Sequence, residues 1–193
     1  MKLQEEFLKD HCKVNLHIFK WLLIISMIVW GLACQQEKDI RVQKLQQELL
    51  KQRKQMIRLQ QEVAKARAVK RIMASYGCRN ELIYREIMAT WDPVTVAIII
   101  GIESEYQQYA VSSGSCYGLM QISWKHGLIN PFNIQANIRF GANYLKEQFD
   151  HFKTLDGAIW AFNAGPAMVG RYLPDETRDY IRKVKMMKEV YRC

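Results

Sequence analysis

The stretch PVTVAIIIGIESEY occupies residues 93–106. Asp92 precedes Pro93, an order typical of a helix N-cap followed by the first helical residue. Valine and isoleucine then occupy more than one face of the predicted helix, which favours a helix buried inside a domain. Glu103 lies near the end of this helix, where an apolar wall is expected to raise the pKa of its carboxyl, as a general acid requires. Since many helices end in a solvated glutamate, Glu103 alone does not identify an enzyme.

Further helices are predicted on both sides of this segment. Apolar spacing indicates helices over residues 81–89, 136–152, 155–162 and 176–191. Residues 112–114 read as a loop, and no series of alternating strands follows. The C-terminal part of the chain is therefore expected to be one mainly α domain.

Six short motifs run through this domain: IES at residues 102–104, AVSSG at 110–114, YGLMQI at 117–122, NIRFGANYL at 137–145, AFNAGP at 161–166 and ETRDYIRKV at 176–184. In this order and spacing they resemble the catalytic domain of the soluble-lytic-transglycosylase (SLT) family, which is similar in fold to goose-type lysozyme. The resemblance covers about residues 81–191. It implies a lysozyme-like helical fold and cleavage of peptidoglycan without a cofactor.

The resemblance also implies roles for single residues. Glu103 matches the one catalytic acid of the family. The matches to residues that line or close the sugar groove are Ser113, Met120, Gln121, Phe162, Asn163, Glu176 and Tyr180. The family usually has tyrosine at the position of Phe162, so a hydroxyl is missing there, and Tyr180 could supply the hydrogen bond instead.

The spacing of acidic residues bears on the mechanism. Most glycosidases use two carboxylates, but Glu105 is the only acidic residue between Glu103 and Glu147, and an i, i+2 pair points to different faces of a helix. A single carboxyl suffices if the muramic acid C6 hydroxyl attacks C1 of its own sugar, which gives a 1,6-anhydro end. Two alternatives stay open: a lysozyme-like hydrolase with Asp150, Asp156 or Glu176 as a distant base, and a non-catalytic peptidoglycan-binding scaffold.

The N-terminal segment, residues 1–34, contains a continuous apolar run at 21–34. This run is shorter than the roughly 20 residues of a spanning helix, but it reaches that length when extended back to residue 14. Three interpretations remain open: an uncleaved signal anchor, a cleaved signal peptide with Gly31 and Ala33 at a small-x-small site, and a lipoprotein signal ending at Cys34.

Residues 35–75 form a predicted stalk that is rich in helix formers. A 3-4 alternation, typical of a coiled-coil seam, runs through Val42, Leu45, Leu49, Gln52, Met56, Leu59, Val63, Ala66, Lys70 and Met73. The segment is predicted to be a coiled coil, with a homodimer as a reasonable consequence, or one long charged helix packed on the next domain. Gly77 suits the helix end, so the catalytic domain is expected to cover residues 76–193.

The composition limits the classes of partner that the chain is expected to bind. A net charge of +9 fits an anionic cell wall or membrane surface, whereas no nucleic-acid motif accompanies the charge. The five cysteines and four histidines lack the spacing of a zinc site, so no metal is expected. In an exported domain, two of Cys78, Cys116 and Cys193 could pair.

The expected location is the cell envelope, with the catalytic domain on the periplasmic or outer side. Secretion, conjugation, phage and wall-turnover settings all remain open.

Overall fold

A computed structural model describes residues 2–191, with side chains described from residue 20 onwards. The six helices are α1 (Lys2–Ser75), α2 (Glu81–Met88), α3 (Pro93–Ser104), α4 (Ile134–Phe152), α5 (Leu155–Ala164) and α6 (Asp175–Val190). Two short antiparallel strands, β1 (Cys116–Tyr117) and β2 (Ile122–Ser123), form a small hairpin, and 3-10 turns lie at Trp124–His126 and Pro166–Met168. The described chain is mainly helical, which confirms the predicted fold class at this level.

The chain divides into two compact units, Met1–Arg58 and Leu59–Cys193. In the first unit the apolar run at residues 21–34 is mostly exposed on helix α1. A search of the described residues for a helix long and apolar enough to cross a membrane finds none. The side chains of residues 14–19, with which the predicted span begins, lie outside the described part of the chain.

The second unit begins well before residue 76, where the catalytic domain was predicted to start. Val69 and Ile72 near the end of α1 are completely buried, and Met73 is nearly so, within the core of this unit. Helix α1 then ends in a Schellman motif, because the amide of Cys78 donates to the carbonyl of Met73 across Gly77, whose φ of 71° suits glycine. The last turns of the predicted stalk thus form part of the packed domain.

Helix α3 is buried along most of its length. Its N-cap is Asp92, whose side chain accepts a hydrogen bond from the amide of Thr95, as predicted for this start. Lys188 on α6 donates to both Asp92 Oδ2, at 3.1 Å, and Thr95 Oγ1, at 2.7 Å. Burial raises the pKa of Asp92, but the hydrogen bonds from Thr95 and the Lys188 ammonium outweigh it and hold this pKa below its usual value. One end of α3 is thereby fixed to α6.

The hairpin is attached to α4 by the buried side chain of Asn137. Its Oδ1 accepts from the amide of Met120 at 2.8 Å, and its Nδ2 donates to the carbonyl of Tyr117 at 2.9 Å. Gly118 permits this arrangement, since a Cβ on it would lie 2.4 Å from Asn137 Nδ2 and its φ is 77°. Gly141 likewise leaves room for Met120, whose Sδ would be 2.6 Å from a Cβ there. These contacts fix the turn that carries Gln121.

Candidate active site

Glu103 lies in a cavity of about 610 Å³, called here the Glu103 cavity. Its walls come from the end of α3, the hairpin with the turn that follows it, one face of α4 and the end of α5. The lining residues are Glu103, Ser112, Cys116, Gln121, Ile122, Ser123, Lys125, His126, Phe140, Tyr144, Phe162, Asn163, Ala164 and Gly165. Four predicted site residues, Glu103, Gln121, Phe162 and Asn163, therefore meet in one place.

Glu103 lies in the last turn of α3. The helix is stopped directly after it, because Glu105 and Tyr106 both take the left-handed conformation, with φ of 51° and 63°. The buried Tyr106 hydroxyl then donates back to the carbonyl of Ala97 at 2.7 Å. On the other side the hydroxyl of Ser104 bonds the carbonyl of Leu119 in the hairpin turn at 2.9 Å. The position of the Glu103 backbone is therefore set by buried contacts on both sides.

The carboxyl of Glu103 has one described side-chain partner. The Tyr180 hydroxyl, from α6, donates to Glu103 Oε1 at 2.6 Å. Burial raises the pKa of Glu103, and the hydrogen bond from Tyr180 acts in the opposite direction by stabilising the carboxylate. The pKa of Tyr180 is itself well above its ordinary value, chiefly because of burial, so the hydroxyl keeps its proton as a donor. Tyr180 thus provides a hydroxyl contact to the carboxyl of Glu103.

Gln121 is held in an unusual backbone conformation beside Glu103. Its φ of 47° lies in the left-handed region, which a non-glycine residue adopts only when its surroundings impose it. Its side-chain Nε2 donates to the carbonyls of Gly118, at 2.9 Å, and Ala110, at 3.2 Å. Both amide hydrogens are therefore used within the protein, which leaves the carbonyl oxygen as the group available to a ligand.

Asn163 at the end of α5 is oriented by a residue that sequence reasoning did not single out. The hydroxyl of Thr177, a buried residue of α6, donates to Asn163 Oδ1 at 2.7 Å. With its oxygen engaged in this way, the exposed amide of Asn163 has its Nδ2 hydrogens left to donate to a ligand.

Four rings continue the wall of the Glu103 cavity away from the acid. His126 lies against Phe140 and Tyr144, with ring centroids 5.6 and 5.1 Å apart, and Tyr144 lies 6.0 Å from Phe162. The exposed Lys125 precedes His126 on the 3-10 turn. Of these residues only Phe162 was predicted to belong to the site, although the i, i+4 spacing of Phe140 and Tyr144 on one helix was a usable signal.

Besides Tyr180, three other predicted site residues lie outside the lining of the Glu103 cavity. Met120 is completely buried behind the hairpin, against Gly141. Ser113 is exposed in the loop before β1, where its neighbour Ser112 is the serine that reaches the cavity. Glu176 is exposed in the first turn of α6. Their predicted roles in binding sugar stay predictions.

The cysteines with described side chains are free thiols. Cys116 lines the Glu103 cavity, and Cys78 is partly buried below the end of α1. Cys193, the third member of the predicted set, lies outside the described residues. The question of a disulfide that includes Cys193 stays open.

The three acidic residues considered as a second catalytic group do not line the Glu103 cavity, and Glu176 is exposed in the first turn of α6. Asp150 pairs with Lys146 and Asp156 pairs with Lys185, at N–O distances of 2.5 and 3.0 Å. Among the described residues that line the Glu103 cavity, Glu103 is the only carboxylic acid. A chemistry based on this cavity therefore has one carboxyl to work with.

The chain matches the protein-family model described as the transglycosylase SLT domain. It covers residues 82–184, just over half of the chain. This range includes Glu103, Tyr180, Thr177 and all residues that line the Glu103 cavity.

Proposed function

This chain belongs to the family of transglycosylase SLT domains, whose general activity is the lytic cleavage of peptidoglycan, and we propose that it cleaves the β-1,4 bond between N-acetylmuramic acid and N-acetylglucosamine without water. Glu103 is the single acid/base of this reaction. The products carry 1,6-anhydro-muramic ends, and no cofactor takes part.

In the first step the protonated Glu103 gives its proton to the glycosidic oxygen, and the bond from that oxygen to C1 of the muramic acid breaks. Partial burial supports this role, because it keeps the acid protonated at higher pH than an exposed glutamate. The electron-poor C1 is stabilised by the acetamido group of the same sugar. The departing N-acetylglucosamine keeps the transferred proton as its new hydroxyl.

In the second step the Glu103 carboxylate takes the proton of the muramic C6 hydroxyl, and the C6 oxygen bonds to C1. Tyr180 supports this step, since its hydrogen bond stabilises the carboxylate in the interval between the two proton transfers. At the end Glu103 is protonated again, so the cycle consumes no water.

The observation that carries the proposal is that Glu103 is the only carboxylic acid among the described residues lining its cavity. A water-based mechanism with two carboxylates needs the second group about 6.5–9.5 Å away for inversion, or about 5–5.5 Å for retention. Asp150, Asp156 and Glu176 do not line the cavity, and the first two pair with lysines. The internal C6 hydroxyl is the nucleophile that requires no second carboxylate.

The test is a digest of purified peptidoglycan by the full chain and by Glu103→Gln, with mass analysis of the released muropeptides. Glu105→Gln is the matched control, because Glu105 is exposed two residues away and does not line the cavity. We expect release of muropeptides with Glu105→Gln as with the unchanged chain, and loss of at least about a thousandfold with Glu103→Gln, since removal of a catalytic proton donor costs on this scale.

Two other results would redirect the proposal. Activity retained in Glu103→Gln would move the acid/base elsewhere. Binding of the unchanged chain to peptidoglycan with no release would favour the non-catalytic scaffold.

We also infer that the catalytic unit acts in the cell envelope, on the periplasmic or outer side of a membrane to which the N-terminal segment is anchored. The location of the substrate supports this, as does the exposure of large apolar residues such as Trp21 and Trp30 on α1. Alkaline carbonate extraction of membranes from cells that express the full chain tests the anchor. Retention in the membrane pellet is expected, with release when residues 2–34 are deleted. Release of the undeleted chain would contradict the anchor.

A homodimer through the predicted seam of α1 is a further part of the proposal. In the first unit the seam residues Val42, Leu45, Leu49 and Met56 are each more than half exposed in the single chain, so a second helix could bury them. Sedimentation of the full chain in detergent should give a dimer. The double substitution Leu45→Asp and Leu49→Asp should give a monomer. If the unchanged chain is itself a monomer, dimerisation through the seam is contradicted.

A further inference from the structure

Two basic residues stand next to each other at one side of the Glu103 cavity. Lys125 and His126 occupy consecutive positions of the 3-10 turn, are exposed, and line the cavity. They are its only lysine, arginine or histidine residues among those the structure describes. The single acid in the cavity, Glu103, has a pKa raised by burial and so resists ionisation. The cavity therefore offers a bound anion the Lys125 ammonium and the His126 ring nitrogens, with little opposing charge nearby.

The turn that carries this pair is fixed by local contacts. The amide of Trp124 donates to the carbonyl of Ser115, and Gly127 closes the turn in the left-handed conformation with φ of 69°. The His126 ring is packed between Phe140 and Tyr144 and is not extended alone into solvent. A pre-positioned basic side chain loses less conformational entropy when it binds than a free surface lysine does.

We propose that Lys125 and His126 bind a carboxylate of the peptide stem attached to the muramic acid. The inference rests on the proposed function, since it names which form of the glycan the same cavity prefers. Peptide stems carry carboxylates close to the sugar chain. The Lys125 ammonium supplies a donor of opposite charge, and the His126 ring supplies a further N–H donor. The rings of Phe140, Tyr144 and Phe162 lie beside the pair and offer apolar faces to the sugar or to the stem. The cavity should thus prefer peptide-bearing glycan.

A carboxylate can reach the pair from two sources. One is the peptide stem, and the other is the lactyl group of muramic acid, which becomes a free carboxylate when the peptide is removed. The proposal commits to the stem, and the substrates below separate the two.

The experiment measures kcat and KM of the full chain on three glycan preparations of equal length. The first carries intact peptide stems, the second carries stems whose carboxylates are converted to carboxamides, and the third is stripped of peptide and carries lactyl carboxylates. We expect KM to be about fivefold lower for the first than for the second and third, a size typical of a few partly exposed ion pairs. This difference should shrink when the salt concentration is raised.

The double substitution Lys125→Gln and His126→Gln should raise KM for the intact strands to the value found with the carboxamide strands. Lys146→Gln is the matched control. Lys146 lies on α4 two positions beyond Tyr144, away from the cavity, where it pairs with Asp150. This control should keep the preference for intact stems.

Several results would overturn the inference. Equal KM values on intact and carboxamide strands would show that stem carboxylates are not bound. An equally low KM on the stripped strands would assign the pair to the lactyl carboxylate. The same rise in KM on all three preparations in the double variant would reduce Lys125 and His126 to a general structural role. Absence of product from every preparation would overturn the proposed function itself, which separates that failure from those of the subsite.

Discussion

The hydroxyl of Tyr180 and the carboxyl of Glu103 are joined by a 2.6 Å hydrogen bond that links α6 to the end of α3. The other end of α3 is joined to α6 through Asp92 and Lys188. Both ends of α3 are therefore linked to α6, and these links hold the Glu103 side chain at a fixed position in its cavity. This arrangement gives the first prediction.

Tyr180→Phe is expected to lower kcat by about tenfold and to change the pH profile, because it removes a hydrogen bond to the charged form of Glu103. That bond lowers the pKa of Glu103, so its loss raises this pKa further. Since the protonated acid is the active form, the alkaline limb of kcat/KM should move to higher pH. An unchanged or downward-shifted limb would contradict the assignment of Glu103 as the titrating acid.

Thr177→Val should release the amide of Asn163 from its fixed orientation. Valine keeps the shape of threonine but cannot donate to Asn163 Oδ1. A hydrogen bond of this kind contributes about 0.5–1.5 kcal/mol, so kcat/KM should fall about three- to tenfold, chiefly through KM. Thr177→Ser, which keeps the hydroxyl, should restore most of the loss. Equal loss in both variants would mean that Thr177 acts only through packing.

Gly101→Ala should destabilise the domain by about 1–3 kcal/mol, a cost typical of overpacking. A Cβ at Gly101 would lie 2.5 Å from the ring of Tyr76, which packs against α3 just below the turn of Glu103. Thermal unfolding of the full chain measures the effect, and adding Tyr76→Ala should relieve part of it. Gly31→Ala is the matched control, since no atom lies within 4 Å of a Cβ there. Equal melting temperatures for the two alanine variants would contradict the close approach.

Ile72→Ala tests whether the end of α1 belongs to the catalytic domain. Ile72 is completely buried in the second unit, so its truncation should cost about 2–5 kcal/mol of unfolding free energy. Leu50→Ala, at an exposed position of the same helix, should change the unfolding free energy by less than about 0.5 kcal/mol. Denaturant unfolding followed by near-UV circular dichroism compares the two. A negligible effect of Ile72→Ala would favour the predicted boundary at residue 76.

Helix ends were predicted well because they depend on contacts within one turn, whereas tertiary packing depends on residues far apart in the sequence. The start of α3 was predictable because Asp92 and Pro93 cap a helix through contacts within one turn. The end of α1 at Gly77 was predictable for the same reason. These elements need no knowledge of the tertiary fold.

The packing of the last turns of α1 on the domain was only one of two interpretations of the sequence, because two apolar stripes overlap there. The predicted seam passes through Lys70, which is exposed, and ends at Met73, which is buried. Val69 and Ile72, which are completely buried, lie on the neighbouring stripe. A 3-4 spacing does not say which partner covers it. The basic pair Lys125 and His126 was missed for a related reason, since only the folded chain brings this turn to the wall that carries Phe162.

The central claim is that Glu103 is the single catalytic carboxyl and that water is not the nucleophile. It is tested most directly by digestion of peptidoglycan in water enriched in ¹⁸O, with the full chain and with Glu103→Gln as the background. Muropeptides released by the unchanged chain should end in 1,6-anhydro-muramic acid and contain no heavy oxygen, and Glu103→Gln should release none. Release of reducing ends that carry ¹⁸O at C1 would contradict the claim, because water would then be the nucleophile and a second catalytic base would be required.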